Sequence, residues 1–70
     1  MKTTFVTRYT GKAGYLPQVN SKNSALAHSN TLDGLSGLGT DITVIDNKYG
    51  KWTFMTQGII VATIMEEIIK

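Results

Sequence analysis

Cysteine is absent from this 70-residue chain, and proline, histidine and tryptophan each occur once. Without cysteine there is no disulfide and no thiolate metal site. A lone histidine makes a histidine-based zinc centre improbable, so no metal and no cofactor is expected. Charge is also scarce: 17% of residues are charged, with a formal net charge of +2 and a pI of about 9.1. That is a milder basic balance than a protein held mainly by DNA phosphates shows. No apolar run approaches the ~20 residues needed to span a bilayer, and the first residues lack the apolar stretch of a signal peptide. A cytoplasmic location is the expectation.

These absences sharpen a stability problem. A single domain over residues 1–70 faces an ordering cost on the order of 100 kcal/mol, which one small core barely offsets. Small proteins recover the difference with disulfides, a metal or self-association. Composition removes the first two, so a homo-oligomer is expected.

Gly58–Lys70, GIIVATIMEEIIK, is the most apolar stretch. At helical spacing Ile60, Ile64 and Ile68 form one stripe, and Val61, Met65 and Ile69 form the next. A strand would place Glu66 in line with Ile60, Ala62, Ile64 and Ile68. A helix groups Glu66, Glu67 and Lys70 with Ala62 and Thr63 on a polar side. The spacing therefore predicts a C-terminal helix. Its apolar surface, Ile60, Val61, Ile64, Met65 and Ile68, is wide enough to serve as an oligomer interface.

Lys2–Thr10 alternates as a strand, with Phe5 and Val6 on opposite faces. Gly11–Gly14 breaks it, and Pro17 keeps Leu16 extended. Gln18–Gly39 is rich in cap and turn residues. A short helix fits Ser24–Ser29, and a second helix, or a 3₁₀ turn, could start at Asn30 and carry Leu32, Leu35 and Leu38. In Asp41–Thr56, the runs ITVID and KWTFMT flank Asn47-Lys48-Tyr49-Gly50, the pattern of a β-hairpin. The expected fold is α+β: an antiparallel sheet of about three strands, the N-terminal strand plus the hairpin, packed by the C-terminal helix. Strands followed by a terminal helix resemble the order of double-stranded RNA-binding domains. That family's lysine cluster is missing, since Gln57-Gly58-Ile59-Ile60 stands in its place, and so is its opening helix; the sequence identifies no family.

Catalytic patterns are weak. His28 has Ser24, Ser29 and Asp33 within a few residues, but the spacing gives no nucleophile–base geometry. Thr10–Gly14, TGKAG, lacks the Walker spacing and the following helix, and Gly34–Gly39 does not fit a dinucleotide loop. Asp33, Asp41 and Asp46 form no calcium loop, and Glu66 and Glu67 diverge on a helix. The chain reads as a non-enzyme. Basic residues do interleave with aromatics: Arg8, Lys12 and Tyr15 early, Lys48, Tyr49 and Lys51 at the hairpin tip, with Trp52 next to it. Cations neutralise phosphates and aromatic faces stack on bases, so these six residues predict an anionic ligand, a nucleotide or nucleic acid. The alternative is a protein-binding inhibitor or accessory subunit of phage or mobile-element type. It would dock through the helix or through the exposed edge of strand Lys2–Thr10.

Overall fold

The computed structural model describes residues 2–38 and 41–69. Gly39 and Lys70, which the sequence assigns to a glycine-rich turn and to the polar side of a helix, lie outside them. Strand β1 (Lys2–Tyr9) leads through a 3₁₀ turn at Gly11–Ala13 to a three-residue strand β2 (Val19–Ser21). Helix α1 (Ser24–Leu35) follows, extended by a 3₁₀ turn at Ser36–Leu38. Strands β3 (Thr43–Lys48), β4 (Lys51–Thr56) and β5 (Ile59–Ile69) complete the chain. All strand pairs are antiparallel, in the spatial order β2-β1-β5-β4-β3.

The expected three-stranded sheet with a C-terminal helix is corrected by this topology. The class remains α+β, but the sheet has five strands, and the apolar C-terminal run is its central strand. The one α-helix comes from the middle of the chain. Two physical features decide for strand. Ile59, Ile60, Val61, Thr63, Ile64, Ile68 and Ile69 are β-branched, and together they favour a pleated surface over a helix. Gln57 and Gly58 then take φ values of 52° and 76° between the paired residues Thr56 and Ile59. That is a two-residue hairpin turn, whose twist matches the strands it joins. The objection raised by Glu66 disappears because Glu66 remains exposed at the end of the sheet. Glu67 points to the other face and accepts a 2.7 Å hydrogen bond from Arg8.

The β4–β5 register shifts between Phe54 and Met55, which pair with Ala62 and Ile60 and leave Val61 between them. At this bulge two consecutive residues, Val61 and Ala62, are both fully buried. Helix α1 buries Ala27, Thr31 and Leu35, a stripe at four-residue spacing, in the core with Phe54, Val61, Ala62 and Ile64. Its N-terminus is capped by Asn23, whose Oδ1 accepts from the Leu26 N–H at 2.8 Å. The two short helical options of the sequence thus fuse into one helix, with Leu26 and Leu32 exposed and Leu35 in the core.

Two hydroxyls pin the helix to the sheet. Thr31 Oγ1 donates to the Ala27 carbonyl at 2.7 Å, so the fully buried Thr7 hydroxyl donates to Thr31 across 3.0 Å.

Candidate functional site

The six residues singled out by sequence do not form one site. The Gly11–Ala13 turn, which holds Lys12, lies against Ile59 and Ile60, because a Cβ on Gly11 would stand 3.1 Å from the Ile60 carbonyl oxygen. Exposed Tyr15 follows that turn. Lys51 instead pairs with Met65, five residues further along β5 and roughly 17 Å away at the rise of a strand. Lys12 and Tyr15 therefore sit at one end of the sheet, and Lys48, Tyr49 and Lys51 at the other. Arg8 lies between the two ends and is already engaged by Glu67.

The hairpin tip is also less positive than its sequence suggests. Tyr49 and Gly50 form the turn, with φ values of 57° and 74°, and Lys48 is left-handed as well at 62°. The Asp46 carboxylate accepts the Lys48 N–H at 2.7 Å, and Glu66 packs against Gly50. Two carboxylates thus offset Lys48 and Lys51. A shallow concavity of about 210 Å³ near the tip is lined by Asn47, Lys51, Trp52, Thr53, Thr63, Ile64 and Met65, with one cation and one aromatic among them.

Tyr49 is exposed at the tip and Tyr15 at the other end of the sheet, whereas Phe5, Tyr9, Trp52 and Phe54 turn toward α1. Trp52 is half-buried, with its ring centroid 5.9 Å from Phe5 and 5.0 Å from His28. His28 Nδ1–H donates to the Ser24 carbonyl at 2.7 Å, and the ring lies 5.6 Å from Phe54. The lone histidine is a packing residue between helix and sheet, not a base aimed into a cleft. The pairing of Phe5, Tyr9, Trp52 and Phe54 with Glu66, Ala62 and Ile64 puts all four on the helix-covered side. Of the oligomer-interface residues, Val61 and Ile64 are buried in the chain's own core, while Ile60 and Ile68 are exposed and Met65 is half-buried. Strand β1 is not the sheet edge that the docking alternative requires, since it lies between β2 and β5.

A different concavity gathers cationic and hydrogen-bonding groups. Strand β2 pairs with β1 only from Phe5 to Thr7, so β1 runs on alone past the end of β2. The resulting open notch, about 480 Å³, is lined by Lys2, Thr3, Thr4, Asn20, Ser21, Lys22 and Ile69. Thr4 Oγ1 donates to the Ser21 carbonyl at 3.1 Å, and Asn30 Nδ2 donates to Ser21 Oγ at 3.1 Å. These bonds tie β1, β2 and α1 together around the notch. Two lysines line it and, among the described residues, no carboxylate does. Glu67 pairs with Thr4 across the sheet and is held by Arg8. Sequence reasoning missed the notch because Lys2 and Lys22 lie 20 positions apart with no aromatic beside them.

Among the described residues, no three metal-ligating side chains cluster, and no helix is long and apolar enough to cross a membrane. Comparison with protein-family models, curated proteins and solved structures finds no significant match.

Proposed function

We propose that this chain is a small non-enzymatic binding protein whose ligand carries phosphate or a similar anion, held in the notch between Lys2 and Lys22. The observation that carries this reading is a concavity lined by two lysines and by Asn, Ser and Thr side chains, with no carboxylate among the described residues that line it. Its volume falls within the range of about 300–1,000 Å³ common to small-molecule sites. Asn20, Ser21 and Thr4 supply hydrogen-bonding groups, and the lysines supply the charge. Exposed Ile69 offers an apolar wall for the non-phosphate part of the ligand. Nucleotides and short single strands both fit this chemistry.

Calorimetric titration with tripolyphosphate, ATP and a short oligonucleotide tests the reading. Lys2→Ala and Lys22→Ala should each weaken binding about tenfold, the equivalent of about 1.4 kcal/mol. Affinity should also fall steeply with added salt. Glu67→Gln, which removes the negative charge opposite Thr4, should strengthen binding. Loss of binding in a Lys48→Ala/Lys51→Ala variant, with the notch variants unaffected, would return the site to the hairpin tip. The unpaired edge of β3 favours a second reading, in which the chain serves as an inhibitor or accessory subunit by accepting a partner's strand. That mode would be nearly indifferent to salt.

A further inference from the structure

Alternation along each strand sorts side chains between the two faces of the sheet. Thr7 meets Thr31 of α1, so Lys2, Thr4, Val6 and Arg8 turn to the opposite face. Val6 pairs with Asn20 on one side and Met65 on the other, and Met65 pairs in turn with Lys51. Arg8 pairs with Thr63, and Thr63 with Thr53. Paired residues share a face. The notch at Lys2, Thr4 and Asn20 and the concavity at Lys51, Thr53 and Thr63 therefore open on the same side of the sheet. Lys48, the partner of Lys51, belongs to that side as well. The acids divide differently: Asp46 pairs with Trp52 and Glu66 with Phe5, which places both on the α1 side. Among the described strand residues, Glu67 is the one carboxylate on the face away from α1, and Arg8 holds it at 2.7 Å. That ion pair reaches over the Val6–Met65 pair, where Val6 is 2% exposed, so the guanidinium stands between the two concavities.

We infer that this face is a track for single-stranded nucleic acid, with one phosphate seated in the notch and a later one beside Lys51. The inference rests on the reading of the notch as an anion site and extends it from a single phosphate group to a strand. Distance selects the ligand. Lys2 is beside Ile69 and Lys51 beside Met65, four residues back along β5 and two strands across, a separation of roughly 16 Å. A triphosphate fills one station without reaching the other, whereas a strand of a few nucleotides spans both. Arg8 lies on the way, and a guanidinium carries five N–H donors, so the bond to Glu67 leaves it able to donate to a passing phosphate. The uncharged groups point the same way. Thr53, Thr63 and Asn47 offer hydrogen bonds to sugars and base edges, and Met65 and Ile69 offer apolar surface, which an inorganic phosphate chain would leave unused.

The test is calorimetric titration of the full chain with tripolyphosphate, dithymidylate, octathymidylate and inorganic polyphosphate of matching length, with circular dichroism as a check on folding. Octathymidylate should bind at least about tenfold more tightly than dithymidylate. Lys51→Ala should weaken octathymidylate about tenfold and lower its salt slope by about 0.7, the loss of one phosphate contact on a single strand. The same variant should leave tripolyphosphate binding unchanged, whereas Lys2→Ala should weaken both ligands. Lys51 is exposed, so its replacement leaves the fold intact. Octathymidylate that binds no better than dithymidylate, or is indifferent to Lys51→Ala while tripolyphosphate still enters the notch, overturns the track and leaves the notch reading standing. Octathymidylate binding that needs both Lys2 and Lys51, without any tripolyphosphate binding, sustains the track and removes the notch as a site of its own. Inorganic polyphosphate binding as tightly as octathymidylate overturns the assignment to nucleic acid, and no binding of any of the four overturns both readings.

Discussion

Threonine 31 shows how direction in a hydrogen bond becomes a measurable asymmetry. Its single proton goes to the Ala27 carbonyl, so it can only accept from Thr7. Thr7→Val removes a donor and leaves Thr31 bonded to the backbone, which should cost about 0.5–1.5 kcal/mol. Thr31→Val strands the buried Thr7 hydroxyl and should cost more, about 1–3 kcal/mol. The double variant should recover part of that loss, and urea denaturation of the three proteins checks the order. Tyr9 makes a second case. Burial lifts its phenol above the ordinary value of 10.0, and the nearby Asp33 charge adds to the effect. The unfolded chain therefore loses this proton first, and stability should decline from about pH 10 up to the folded-state value. Tyr9→Phe should flatten that alkaline decline in thermal melts. None of this was legible in sequence, where Thr7, Tyr9 and Thr31 are ordinary strand and turn residues. Their meaning comes from a contact 24 positions apart.

At the scale of elements, the strand Lys2–Thr10 and the hairpin at Asp41–Thr56 were readable because alternation and an X-Gly turn agree there. The same two signals were present at Gln57-Gly58-Ile59 and were outweighed by a helical spacing of isoleucines. Four-residue spacing is also even-numbered, so Ile60, Ile64 and Ile68 match either period, and only the turn glycine breaks the tie. The bulge at Val61 blurred the alternation further, because it places Val61 and Ala62 side by side in the core. The middle third was obscure because α1 is held by a narrow stripe of Ala27, Thr31 and Leu35, not by strong amphipathicity. The two hairpin glycines offer a contrast at this scale. Gly50 and Gly58 both have positive φ, at 74° and 76°. A Cβ on Gly50 would stand 2.9 Å from the Glu66 side chain, whereas one on Gly58 meets nothing within 4 Å. Gly58→Ala should cost about 1–2 kcal/mol from backbone strain alone. Gly50→Ala should cost more, with Glu66 displaced. Equal losses in chemical denaturation would contradict the packing at the β3–β4 turn.

For the whole molecule, the C-terminal strand settles where the hydrophobic core lies, and the core settles which surfaces remain for binding. Placing β5 in the centre consumes Val61 and Ile64, moves β3 to an unguarded edge, and separates Lys12 and Tyr15 from the hairpin tip. It also leaves β1 overhanging β2, which opens the notch at Lys2 and Lys22. The sequence carried the components of the proposed anion site, lysines with polar neighbours, but their placement around one notch depends on a strand order that no local pattern encodes. Amide chemical-shift mapping during titration with tripolyphosphate examines this arrangement most directly. The account predicts that the shifts concentrate at Lys2–Thr4 and Asn20–Lys22. Shifts concentrated at Lys48–Lys51, or none at saturating tripolyphosphate, would contradict it.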